Sequence, residues 1–108
     1  MLNITREKDN LIAKFYGDID HHSCNEIRKI LDSELKKNMP KKLILDLENV
    51  DFMDSSGIGV IMGRYKKVSS AGGSVFFSGI TKKIDKLIEL SGLLQIIKPL
   101  PPRHCEGA

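Results

Sequence analysis

The residues that invite a chemical reading are Asp54-Ser55-Ser56-Gly57. They lie between an apolar run and a segment with helical periodicity. Aspartate and serine oxygens accept hydrogen bonds from first-turn amides, so composition alone favours a helix cap with a tight turn. The same position allows a second chemistry. A helix N-terminus offers free N–H groups and partial positive charge, and tolerates an added anion. A serine hydroxyl there could accept a phosphoryl group without damage to the helix. The phosphate would add about −1.5 to −2 charges and three acceptor oxygens. At a docking surface that charge would act by repulsion and desolvation, and Asp54 beside it would strengthen the effect.

Other chemistries fit less well. A nucleophile elbow needs Gly two residues before the serine, and position 53 is Met. A triad would require His21, His22 or His104 near Ser55, and nothing in the sequence suggests an oxyanion hole. Gly57, Gly59 and Gly63 follow a strand, but the third glycine is one place late for the dinucleotide fingerprint. The simpler expectation for Gly59 and Gly63 is close packing of a helix on a sheet. No Gly-Lys-Ser/Thr occurs, so no P-loop is present. The pair His21-His22 is expected to be solvated at a helix start. Cys24 and Cys105 form no framework and no Cys-x-x-Cys, so free thiols in a reducing cytoplasm are expected, with no zinc site and no cofactor.

Composition narrows the classes further. The chain has 108 residues, 41% hydrophobic and 29% charged, with a net charge of +3. That describes one globular domain, not a disordered chain. The lysines alternate with acids, and aromatics number four Phe and two Tyr with no Trp. A direct nucleic-acid partner would more often show a concentrated basic face with interleaved aromatics. No apolar run approaches the roughly 18 residues of a membrane span, and no signal peptide is visible at Met1-Leu2-Asn3-Ile4-Thr5.

The elements that must position Ser55 can be read from periodicity. Leu2 and Ile4 alternate with polar residues, and residues 11–16 form a stronger β run ending at Gly17-Asp18. Asp9-Asn10 supplies turn chemistry for a hairpin. Ser23 and Glu26 spell a capping box, with Asp20 as an alternative earlier cap. Ile27, Ile30, Leu31 and Leu35 give one helical stripe, closed by Asn38 and Pro40. Residues 43–47 read as a central strand buried on both faces, after which 48–53 cross the sheet's edge. A helix from Asp54 is apolar almost all round until Arg64 and ends at Ala71-Gly72-Gly73. Residues 74–78 read as a buried strand. Thr81 is expected to cap a helix with Ile84, Leu87 and Ile88 inward, stopped by Gly92. Residues 93–97 could form a last short strand. The order is α/β: a mixed, mostly parallel sheet of about four to five strands packed with three or more helices. A single domain over 1–98 and a flexible, Pro-containing tail over 99–108, with His104 and Cys105, are expected.

The string from Phe52 through Asp54-Ser55-Ser56-Gly57-Ile58-Gly59 to Gly63-Arg64-Tyr65-Lys66 resembles the signature of the STAS domain. Within that family it is similar to the anti-sigma factor antagonists of sporulating bacteria. Gly17-Asp18-Ile19-Asp20-His21-His22 and Leu90-Ser91-Gly92-Leu93-Leu94-Gln95-Ile96-Ile97 resemble two further family motifs, in the same order. The resemblance implies a STAS fold and a partner switch, not an enzyme. In such a switch the unphosphorylated antagonist binds an anti-sigma factor, itself a serine kinase using ATP and Mg²⁺, and frees the sporulation sigma factor. The kinase then phosphorylates the first serine of the motif, here Ser55, and a separate serine phosphatase reverses this. Asp20, Asp54, Ser56 and Gly57 are implied as docking residues, with His21, Ile58 and Gly59 added by adjacency. Two other readings stay open: an antagonist for a general-stress sigma factor, and a small nucleotide-binding STAS protein. The docking account requires Ser55 to be exposed and the loop of Asp20 to lie beside it.

Overall fold

The computed structural model describes residues 2–100. Strands β1 (Leu2–Glu7) and β2 (Asn10–Ile19) form the expected antiparallel hairpin. Its turn lies one residue earlier than the composition implied. Lys8, at φ 57°, and Asp9 make the turn, while Asn10 already pairs with Glu7. β2 also runs past Gly17-Asp18 to Ile19, through two breaks in register with its neighbour. Gly17 sits at the second break with φ +79°, a backbone conformation that suits glycine. This irregular end brings Ile19 and Asp20 to the edge where Ser55 lies.

Helix α1 (Cys24–Lys37) follows. The expected capping box does not form, because Ser23 makes no side-chain bond to the helix amides. The Asp20 carboxylate takes that role one turn earlier. Its Oδ1 accepts from the amides of His22 (2.9 Å) and Ser23 (3.1 Å). Ser23 Oγ accepts from the Asp20 amide instead (3.1 Å). Ile27, Leu31 and Leu35 are buried as their spacing predicts, and Ile30 is half-buried at the stripe's margin.

β3 (Lys42–Met53) is the longest strand. The segment 48–53, expected to leave the sheet, continues it and pairs with the end of β2 up to Ile19↔Met53. β3 is buried on one face only. Leu43, Leu45 and Leu47 are fully buried, whereas Ile44 and Asp46 between them are half-buried. Ile44 lies in register between Ile12 of β2 and Phe76, both half-buried, in a row across the other face of the sheet. Apolar type alone could not tell a fully enclosed strand from one whose second face keeps partial contact with water.

α2 (Ser55–Ser70), β4 (Ser74–Ser78), α3 (Asp85–Ser91), a 3-10 turn (Leu93–Gln95) and β5 (Lys98–Pro99) complete the order. The five strands lie in sequence order, antiparallel between β1 and β2 and parallel elsewhere. Val60, Ile61 and Val68 of α2 join the stripe of α1 and the inward residues of β2, β3 and β4 in one core, with Ile84, Ile88, Leu93 and Ile97 at its end. α3 starts later than expected. The Thr81 carbonyl accepts from the Ile84 and Asp85 amides (3.1 and 2.9 Å), while its hydroxyl is buried without a partner among the described residues. Gly92 stops the helix at φ +83°. Of the expected strand over 93–97, Leu93–Gln95 form the 3-10 turn instead, and pairing resumes at Lys98–Pro99, so the sheet includes Pro99. His104 and Cys105 lie outside the described residues. Cys24 is buried and, among the described residues, unpaired.

One core contact is ionic. Arg64 of α2 is 5% exposed, and its Nε lies 3.0 Å from Asp32 Oδ1 of α1. Lys67 reaches the same oxygen at 3.0 Å. Burial pulls the Arg64 guanidinium below its usual value, and Asp32 opposes that pull.

Candidate functional site

The site is built where the ends of β2 and β3 meet the start of α2. Asp54 is the N-cap, in extended backbone. Its Oδ1 accepts from the amides of Ser56 (2.8 Å) and Gly57 (3.3 Å). Its carbonyl accepts from Gly57 and Ile58 (3.0 and 3.2 Å). The first-turn donors that a helix leaves unpaired are therefore largely met by one residue. The Asp54 amide donates to the Ile19 carbonyl (3.3 Å), which ties the helix start to the end of β2.

Gly57 sets how closely that junction packs. A Cβ there would stand 2.6 Å from Met53 Cγ, 2.8 Å from the Ile19 carbonyl oxygen and 2.9 Å from Ile19 Cγ2. Gly59 and Gly63 behave in the opposite way. Nothing lies within 4 Å of a Cβ at either, so the close packing expected of them belongs to Gly57 alone.

This arrangement leaves the Ser55 side chain at the first position of α2, exposed to solvent. No hydrogen bond holds its hydroxyl among the described residues. Ser56 is half-buried, Gly57 buried, Ile58 half-buried against the core, and Gly59 exposed. Asp20, His21 and His22 form the turn that leads into α1. The two imidazole rings lie 3.9 Å apart between centroids. His21 Nδ1 approaches Asp54 Oδ2 at 3.9 Å. The structure therefore brings the Asp20-His21 turn beside the start of α2, as the docking account requires.

Partial desolvation acts to raise the Asp20 carboxyl. The amides of Ser23 and His22, helped by the nearby imidazoles, outweigh it and hold the group below its ordinary value. Among the described residues no cluster of His, Cys, Asp and Glu could hold a metal ion.

Phe52 opens the motif string but has no role assigned by it, yet it is 50% exposed two positions before Asp54. Its neighbour Asp51 is paired with Lys83 Nζ at 3.1 Å. An aromatic residue in an apparent connecting segment gave no sign that the segment was a strand at the sheet's rim.

The model of the STAS domain matches residues 1–105. The chain belongs to the STAS domain family. Its STAS relatives include the anti-sigma F factor antagonist of Paenibacillus polymyxa, 36% identical over 87 residues, which cover 81% of this chain and 74% of the relative. The corresponding antagonist of Lysinibacillus sphaericus is 29% identical over 90 residues, 83% and 75% of the two chains. The anti-sigma-B factor antagonist of Staphylococcus aureus is 27% identical over 89 residues, 78% and 82%. Among solved STAS structures, the phosphorylated Bacillus cell fate determinant SpoIIAA aligns with a TM-score of 0.75 at 20% identity, over 99% of this chain and 97% of that one. An anti-sigma factor antagonist of Mycobacterium paratuberculosis aligns at 0.84 with 18% identity, over 97% and 88%. At those identities the structural likeness concerns the fold. Within the STAS family the chain groups with the anti-sigma factor antagonists.

Proposed function

We propose that this chain is the antagonist arm of a partner switch. In its unphosphorylated form it binds an anti-sigma factor that is also a serine kinase, and so frees a sporulation sigma factor. The observation that carries the reading is the Ser55 hydroxyl, exposed and without a hydrogen bond among the described residues at the first position of α2, with the Asp20-His21 turn beside Asp54. The docking surface then comprises Asp20, His21, Asp54, Ser56, Ile58 and Gly59, with the buried Gly57 setting the helix start beneath them.

The inactivating step is phosphorylation of Ser55 by the kinase, with ATP and Mg²⁺ bound to that partner and not to this chain. A serine phosphatase restores the active form. The physical logic needs no refolding. Phosphate adds about −1.5 to −2 charges next to the Asp54 carboxylate. Oδ1 of Asp54 already occupies the Ser56 and Gly57 amides, so the helix start has little left to offer the new anion. A partner surface that fits the neutral serine then meets a doubly anionic group it must desolvate.

The test is direct. The protein is incubated with the anti-sigma kinase and Mg·ATP, and any phosphate is located by mass spectrometry. Modification at Ser55 is expected; modification elsewhere, or none, sinks the reading. The 36% identity to an anti-sigma F antagonist, against 27% for an anti-sigma-B antagonist, favours the sporulation switch over the general-stress one. Offering both kinds of kinase to the same sample decides between them.

A further inference from the structure

The turn Asp20-His21-His22 lies beside Asp54, the residue before Ser55, and its placement has a charge consequence. The Asp54 carboxylate divides its work between two oxygens. Oδ1 caps α2, while Oδ2 faces His21 Nδ1 at 3.9 Å. No lysine or arginine comes within 4.0 Å of that carboxylate among the described residues. A phosphate on Ser55 would therefore stand beside a carboxylate, at a helix start whose amides are largely taken.

We propose that His21 is the counter-charge to phosphorylated Ser55: its imidazole takes up a proton when the phosphate is added, and so couples the switch to pH. This rests on Ser55 being the phosphoacceptor. His21 is a positioning residue in that step and takes no part in bond making.

The groups facing His21 are few. Asp54 approaches it from α2. Asp20 lies in its own turn, with Oδ1 committed to the His22 and Ser23 amides. The His22 ring lies tilted against it, with centroids 3.9 Å apart, so a proton on one ring disfavours a proton on the other. Asp18, at the end of β2, is exposed. Two carboxylates and the phosphate thus favour the charged imidazole, and one histidine opposes it.

An opposite charge within about 4–6 Å moves a titration by roughly 1–3 units. His21 is 69% exposed and Asp54 30%, so screening places the expected shift near the lower end, about one unit. An unperturbed imidazole titrates near about 6.5, and phosphoserine loses its second proton near about 6. The two titrations overlap and must be read as a coupled pair. The phosphorylated protein then presents its full negative charge only above the pH at which His21 releases its proton.

The test uses the full chain with phosphoserine placed at position 55 by codon reassignment, so no kinase is needed. Histidine ring signals and the phosphorus signal are followed by NMR across pH. The His21 midpoint should rise by about one unit on phosphorylation, more than that of His22, and the rise should shrink in about 1 M salt. The phosphoserine midpoint should be higher in His21→Asn than in wild type, and nearly unchanged in His22→Asn. Ser55→Asp offers a second carrier of charge if the phosphorylated chain does not fold, with a smaller rise of His21. An unmoved His21 midpoint, or a phosphoserine midpoint indifferent to His21→Asn, overturns the inference. A kinase that ignores Ser55 while His21 still responds overturns the phosphoacceptor assignment alone.

Discussion

At the scale of single residues, the corner depends on two aspartates with different tasks. Asp54 starts α2, and Asp20 starts the turn into α1. Asp20 gives a pH prediction whose sign follows from its bonds. Its carboxyl lies below the ordinary value of 3.8 in the folded chain, so folding favours the ionised form. The stabilisation is present above the unfolded-state value and is lost as pH falls through the folded one. Wild type should therefore lose urea resistance between about pH 5 and pH 3 more steeply than Asp20→Asn, whose amide accepts the same bonds without titrating. Equal slopes would show that the Asp20 bonds are not coupled to folding. Asp20 was legible from sequence as a possible early cap. Its bond pattern was not, because Ser23 offered a capping box of equal quality three residues from Glu26.

At the scale of elements, two glycines of α2 make opposite predictions. Gly57→Ala pushes a methyl into Met53 and the Ile19 backbone, and should destabilise by about 1–3 kcal/mol. Gly59→Ala meets open space in a helix interior, and should stabilise by up to about 1 kcal/mol. Chemical denaturation of both variants checks the pair. If Gly59→Ala is more stable yet binds the anti-sigma factor less well, the glycine serves the interface and not the fold. The helix pair α1–α2 makes a further prediction. Asp32→Ala leaves Arg64 buried with one fewer charge partner and should destabilise by roughly 1–3 kcal/mol, less than a wholly buried pair because Asp32 is 31% exposed. A thermal melt unchanged by Asp32→Ala would mean that water already satisfies Arg64.

At the scale of the whole molecule, one core joins the first four strands to the helices, within a radius of gyration of 13.1 Å. That is close to the roughly 13 Å expected of a compact chain of this length. Ser55 stands outside this core, so a charge placed there has no buried contact to break. Ser55→Asp should weaken binding to the anti-sigma factor while leaving far-UV circular dichroism and hydrodynamic radius unchanged. Ser55→Ala should stay folded, bind, and resist kinase-driven release. A changed spectrum or radius for Ser55→Asp would mean that the switch works through the fold instead of the surface.

The sequence by itself determined the first two strands, the three helices and the cores of the next two strands, their order, and the location of the phosphoacceptor candidate. Those depend on local periodicity and on the chemistry of Asp54-Ser55-Ser56-Gly57, which need no distant partner. It did not determine that residues 48–53 continue β3, because their polar residues match an edge strand and a connection equally well. Nor did it separate Gly57 from Gly59, since a glycine's task is set by what lies opposite its missing side chain. Tertiary structure alone decided that Ile19, Asp20 and His21 meet the start of α2. These residues are more than thirty positions from Ser55 along the chain, and parallel pairing of β2 with β3 brings the two segments to one end of the sheet.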